Sequence, residues 1–316
     1  MARNKLDQEN YTPSFAGHET FPLKYGWLKK VYDAIVNFDS SEDAIDPTLI
    51  FKSDEAIATF GVGKNMVISM RHWATSTGII QENKMNGKNR ILVSDLGHFL
   101  LGNDGRDPYL ENPNTLWLLH WMLTKSPKKT LNYYLFNLYN KPSFNKESLK
   151  NAVNTLFLEH PNWREASATT VGRDIDCLIG SYTNKIVNKK ASHEDSIECP
   201  FAELSLIIRQ NQNDFRMTRT QRNTLDDALF VFALIDFWSD YSSAQTITFE
   251  TIMHTEGSPG KIFCLSEDDL SERIIKLEEI TKGALVWSQS AGLRQVIASS
   301  PIQEIDSLDY INKVYQ

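Results

Sequence analysis

Cysteine is scarce in this chain of 316 residues: Cys177, Cys199 and Cys264 are the only three, and none belongs to a CxxC pair. That spacing excludes a disulfide framework and a zinc ribbon, and it predicts three buried thiols. Long hydrophobic runs are missing too. The apolar stretch ALFVFALIDFW, 228–238, is shorter than the roughly 20 residues needed to cross a bilayer. The first ten residues, MARNKLDQEN, lack the apolar core of a signal peptide, so the expectation is a cytoplasmic protein without membrane contact.

An excess of positive charge is also lacking. Lys and Arg number 33 against 40 Asp and Glu, a formal net charge of -7. A protein that coats nucleic acid with its whole surface needs the opposite sign, so any phosphate contact has to come from a local basic face. Catalytic signatures are absent as well. The 7 histidines form no HExxH and no close pair on one helix face, and there is no GxSxG elbow. Gly61-Val62-Gly63-Lys64 and Gly257-Ser258-Pro259-Gly260-Lys261 resemble phosphate loops, yet Asn65 and Ile262 stand where the motif requires Ser or Thr. Both read as turns. No metal, no cofactor and no enzymatic activity are expected on these grounds.

What is present is helical periodicity in a chain that is 41% hydrophobic, enough for one large domain or two to three smaller ones. Trp27, Leu28, Val31, Tyr32, Ile35 and Val36 recur at helical spacing. After the acidic linker FDSSEDAID, Ser53 to Phe60 predicts a second helix capped by Ser53. Gly61 to Gly63 makes a turn, and Lys64 starts a third helix. Asn86-Gly87 between two strand-like runs predicts a two-residue hairpin turn, because those residue types tolerate positive φ. Ser94 then caps a helix with Leu96, Phe99, Leu100 and Leu101. This order is that of a winged helix-turn-helix.

Beyond GNDGRDPYLENPN the pattern predicts helices over Leu116–Leu123, Thr130–Tyr139, Lys146–Leu158 and Ser167–Ile179. The polar run TNKIVNKKASHEDSIE predicts a loop. Further helices are expected over Leu225–Phe237 and from Ser266, with strands at Lys261–Leu265 and Ala284–Ser288 and a final helix from Ala291. The expected fold is therefore mainly α: an N-terminal winged helix-turn-helix module (1–106), a helical middle region (107–197), and a C-terminal region (198–316) with a further winged-helix-like unit. No repeat period shows in residue identities.

The third helix is the one that would enter a DNA groove. At about 100° per residue, Met66, Val67, Met70 and Ala74 fall on a core side, while Asn65, Ser69 and His72 fall opposite, with Lys64 and Arg71 on the flanks. From Gly61 to Ile91 there are five basic residues, Lys64, Arg71, Lys84, Lys88 and Arg90, and the single acid Glu82. Double-stranded DNA is the partner such a face suits, with Asn65, Ser69, Arg71 and His72 in the groove and Lys64, Lys84, Lys88 and Arg90 on phosphates. A structural or protein-docking role for the same module stays open. The acidic helix carrying Glu267, Asp268, Asp269 and Glu272 would repel phosphate and instead suggests a partner or homo-oligomer surface. Arg209, Arg216, Arg219 and Arg222 form another basic cluster that phosphate contact or partner carboxylates would explain, but a solvated face is the expectation.

The segment FAGHETFPLKYGWL places His18 beside Glu19. Adjacent residues of an extended chain point to opposite sides, so the pair makes no dyad by adjacency. Phe15, Phe21 and Pro22 suit an anchor for the first helix, with His18, Thr20 and Lys24 as the side chains able to touch a ligand or partner.

Four stretches, FAGHETFPLKYGWLKK, FGVGKNMVISMRHWATSTGII, EGSPGKIFCLSEDDL and SAGLRQV, resemble a bacterial family filed as domain of unknown function four-thousand-and-seven, across nearly the whole chain. Genes of that family often lie beside phosphoadenosine-phosphosulfate-reductase-like genes and DNA phosphorothioation or phage-defence genes. The resemblance implies an accessory or regulatory part of a DNA-modification or defence system. It also implies an alternative, an adaptor that docks a sulfur-transfer or DNA-modification enzyme. It supplies no catalytic residue.

Overall fold

The computed structural model describes residues 4–38, 44–52, 55–184, 199–290 and 292–316. The Ser53 cap, most of the acidic linker, the bulk of the polar run before Cys199, and Ala291 lie outside the described residues.

In the first segment Gly26, at φ 77°, turns the chain into α1 (Trp27–Val36), which buries Trp27, Leu28, Val31, Tyr32 and Ile35 on one face. Asp46 caps α2 (Pro47–Phe51), and α3 (Ala56–Phe60) ends at Gly61 in the left-handed region. Next come α4 (Lys64–Ser76), β1 (Ile80–Met85) and β2 (Lys88–Val93). Asn86 at φ 51° and Gly87 at φ 77° form the predicted two-residue turn between the strands. Ser94 accepts the Gly97 N–H at 2.9 Å and so starts α5 (Asp95–Leu101).

The second segment opens with α6 (Pro113–Thr124), in which every residue from Thr115 to Trp121 is buried. α7 (Thr130–Tyr133) runs into a π turn, Tyr134–Leu138, and then β3 (Ser143–Asn145). A reciprocal Asn145–Ser148 capping box starts α8 (Lys146–Glu159), and Ser167 caps α9 (Ala168–Tyr182). β4 (Ile207–Arg209) and β5 (Asp214–Met217) close the segment. The third holds α10 (Asp227–Tyr241), β6 (Thr246–Thr248), α11 (Phe249–His254), α12 (Pro259–Ile262), α13 (Glu267–Ile275), α14 (Leu277–Ile280), β7 (Leu285–Ser290), β8 (Leu293–Ala298) and α15 (Leu308–Val314).

One connectivity recurs although the residue identities show no repeat. In each segment a helix leads to a short extended piece, then helices, then an antiparallel pair whose last strand pairs back to the first piece. The sheet orders β3-β5-β4 and β6-β8-β7 follow this rule. In the first segment the extended piece shrinks to Ile45, bridged to Ile91 by two 2.9 Å backbone bonds.

The expectation of a mainly α chain is therefore corrected. Small antiparallel sheets occur in all three segments, including the middle one expected to be helical, and the fold is an α/β mix. Strands of three residues are too short to show alternation. Two single elements change as well: Lys261–Leu265 lies at the end of α12 and in the turn after it rather than in a strand, and the residues after Ala291 form β8 rather than a helix. The sheet β3-β5-β4 joins 143–145 to 207–217 across the expected boundary at 197/198. A single cluster of buried side chains runs from Leu23 to Ile311, so the segments share one core.

Candidate functional site

The β1–β2 ribbon is anchored only at its base. Ile80, Ile91 and Val93 are buried, whereas every residue from Gln81 to Asn89 is exposed. A two-stranded ribbon without a second layer stands clear of the body, and it carries Lys84 and Lys88 at its tip and the half-buried Arg90 on the way back. Lys64 and Asn65 are exposed in the first turn of α4. Asp46 lies near this cationic group; its bonds from Thr48, with Arg90 and Lys88 farther off, hold its carboxyl below the ordinary value.

Three of the residues expected in a groove are placed elsewhere. Ser69 is fully buried, its hydroxyl donating to the Phe21 carbonyl at 3.2 Å, and the Trp73 Nε1–H donates to the same oxygen at 2.9 Å. His72 packs under Gly17, where an added Cβ would come within 2.7 Å of His72 Nδ1. The FAGHETFP segment thus crosses the side of α4 that a one-sided amphipathic reading leaves open to solvent. Ser69 and His72 are corrected from groove positions to packing ones. Arg71 is half-buried and held by Glu82 through two bonds of 2.8 and 3.1 Å. Burial pushes the Glu82 carboxyl up, but the Arg71 guanidinium and the Thr75 hydroxyl more than reverse this and leave it lowered.

The same segment builds a compact polar cluster. Backbone φ is positive at four of the five residues 16–20, Ala16 (65°), Gly17 (92°), Glu19 (46°) and Thr20 (69°), a conformation that L side chains adopt only when their surroundings enforce it. The enforcing contacts centre on His18. Its Nδ1 accepts the Thr20 N–H at 3.0 Å, so Nε2 carries the proton and donates it to Asp174 Oδ1 at 2.8 Å. The Ala16 N–H donates to the same Asp174 oxygen at 2.8 Å. Close by, the Lys129 ammonium donates to His72 Nδ1 at 3.4 Å, and burial together with Lys129 and His18 drives the His72 pKa well below its ordinary value. The space enclosed is about 20 Å³, the size of one water and too small for a substrate.

Of the side chains expected to touch a ligand here, His18 is therefore committed to internal bonds. Lys24 is buried with its ammonium 5.8 Å from the Trp27 ring, and Thr20 alone is exposed. Asp174 and Lys129 escape sequence reasoning, since nothing local marks residues whose partners lie more than fifty positions away. Arg222, expected on a solvated face, is buried and donates to the carbonyls of Thr218, Phe263 and Cys264 at 2.6 to 3.2 Å. All three cysteines are buried, as their spacing implied.

A multi-segment α/β body, welded by one core and carrying a cationic ribbon at one end, is the class of protein these features define. The chain belongs to the family described as "Protein of unknown function (DUF4007)", whose model matches residues 15–315. It is also similar to two crystal structures of a protein named SspB, one described as magnesium-ion-bound. Both are 27% identical to this chain, covering 96% of it and 88% of their own length, with TM-scores of 0.82 and 0.80. No curated protein matches the chain. Among the described residues no helix is long and apolar enough to cross a membrane.

Proposed function

We propose that the chain binds double-stranded DNA through its N-terminal end and serves as an accessory or regulatory component of a bacterial DNA-modification or phage-defence system. The observation that carries this reading is the ribbon: its residues from Gln81 to Asn89 are exposed, and its tip holds Lys84 and Lys88. A two-stranded ribbon has the width of the major groove, and lysines at its tip reach phosphates on either side. Lys64, Lys84, Lys88 and Arg90 supply the phosphate contacts, and Asn65, exposed in the first turn of α4, addresses a base edge. The genomic setting that the family resemblance implies supports the same reading.

Affinity for a short duplex should fall steeply with salt, and removing one phosphate-binding cation should lower the slope of log affinity against log salt by about 0.9. Lys84→Ala with Lys88→Ala, both exposed and remote from the core, should lower that slope by about 2 and leave the melting temperature unchanged. An unchanged slope counts against the ribbon. A chain that shifts no duplex even at low salt loses the DNA reading altogether and leaves the adaptor, which holds a sulfur-transfer or modification enzyme.

A further inference from the structure

Where the middle and C-terminal segments meet, a cavity of about 400 Å³ is lined by Lys141, Arg216, Arg219 and Lys261, with His254 at its edge. No acidic side chain is among the described residues that line it. Like charges gathered around one space repel each other, and structural arginines and lysines normally answer this with carboxylates. The nearby acids are engaged elsewhere: Glu250 bonds Arg294 and lies 3.6 Å from His254, and Glu256 is tied to Tyr133 and to the Lys5 N–H.

Two of the cations are fixed by neutral acceptors that cancel none of their charge. The Lys261 ammonium donates to Asn140 Oδ1 at 2.9 Å, and the Arg219 guanidinium donates to the Gly260 carbonyl at 3.1 Å. Burial, with Arg219 adding to it, pushes the Lys261 ammonium below its ordinary value, as expected for a cation held among cations. Arg216 on β5 and Lys141 stand exposed at the rim.

The remaining wall is apolar and ends in an unexplained polar atom. Tyr139, Pro142 and Met217 line it, and the Tyr139 hydroxyl is buried without a hydrogen-bond partner. Tyr139 directly follows the π turn Tyr134–Leu138, a distortion that concentrates at functional sites.

We propose that this cavity is a binding site for a small phosphate-bearing ligand of the nucleotide class. Its volume falls within the range of small-ligand clefts, roughly 300–1,000 Å³. The four cations take the phosphate oxygens, and the Tyr139, Pro142 and Met217 wall receives the ring. The site lies in different segments from the ribbon and does not rest on the DNA reading.

Calorimetric titration of the full chain with ADP, inorganic pyrophosphate and adenosine tests it. ADP and pyrophosphate should bind, more tightly as salt is lowered, and adenosine should not. Lys141→Ala with Arg216→Ala should weaken ADP by about tenfold or more, with the melting temperature of the free protein unchanged. The ribbon variant should bind ADP normally. Absence of binding by both ADP and pyrophosphate at low salt overturns the proposal, as does equal ADP affinity in the double variant. Binding of a 5′-phosphorylated oligonucleotide without any binding of ADP overturns it too.

Discussion

Asp174 holds the N-terminal segment to the body with one oxygen, which accepts both the His18 Nε2–H and the Ala16 N–H. Replacing it by alanine removes the acceptor of the buried His18 imidazole and of the part-buried Ala16 N–H, and Asp174→Ala should cost about 2–4 kcal/mol in denaturant unfolding. Asp174→Asn keeps an oxygen and should lose about half as much; equal losses would show that the charge, not the acceptor, holds the segment. Two other histidines set a pH dependence. Burial drives His120 down to about 3, despite the bond to the Ile262 carbonyl, and burial also holds His72 well below its ordinary value. Both are neutral in the folded chain and titrate near 6.5 when unfolded. Below that pH the unfolded state takes up protons that the folded state refuses, so stability is full above about pH 6.5 and falls by up to about 1.4 kcal/mol per pH unit per histidine below it. For His120 the loss continues until pH reaches about 3. Carboxylates such as Glu82, held below its ordinary value, act only farther down in pH. Unfolding free energies compared at about pH 7.5 and about pH 5.5 should show the drop, and His120→Gln should flatten it. A wild-type chain equally stable at both would remove this account.

At the scale of elements, what was legible was local. Asn86-Gly87 marked its turn, and Ser94, Ser167 and Ser266 marked their caps, because each acts on backbone within three residues. The α4 face departs from its pattern because periodicity assumes burial from one side, and the Phe21 carbonyl covers Ser69 from the other. The short sheets escape for want of length, and Arg222 because its carbonyl partners Phe263 and Cys264 lie some forty residues on. Of the expected DNA contacts, Lys64, Asn65, Lys84 and Lys88 are exposed and Arg90 is half-buried, whereas Ser69 and His72 pack and Arg71 is tied to Glu82. Helix propensity alone gets Gly97 wrong. A Cβ on this residue of α5 would come 2.3 Å from the Ile79 carbonyl oxygen, backbone that cannot step aside. Alanine is favoured over glycine in a helix by ~1 kcal/mol, while overpacking costs about 1–3 kcal/mol. Gly97→Ala should therefore be destabilising, lowering the melting temperature, and a rise would mean that α5 shifts freely off the hairpin base.

For the molecule as a whole, the question is whether three similar segments behave as three units or one. The second and third are joined deep inside. The Trp121 indole donates to Asp236 at 2.7 Å, the Trp117 indole to Thr224 at 3.0 Å, and the Gly257 N–H to Asn137 Oδ1 at 2.8 Å. His120 bridges them again: its Nδ1 takes the Tyr182 hydroxyl proton at 2.7 Å and its Nε2–H goes to the Ile262 carbonyl at 2.9 Å. The first segment joins through the His18 clasp, through Ser14, whose N–H donates to Thr130 at 2.7 Å, and through Trp73 stacked edge-on to Phe201. Each joint sits in apolar packing shared by neighbouring segments, so no segment can leave without exposing part of its neighbour's core to water. Unfolding should then be a single cooperative transition. Single-tryptophan variants that retain only Trp73, in the first segment, or only Trp238, in the third, should report the same midpoint in denaturant. If Trp73 melts first, the clasp is the weakest joint, and Asp174→Ala should widen the gap between the two midpoints. If the midpoints stay together even in Asp174→Ala, the first segment is held by its apolar contacts, and the strained FAGHETFP segment is left without a stabilising role to explain it.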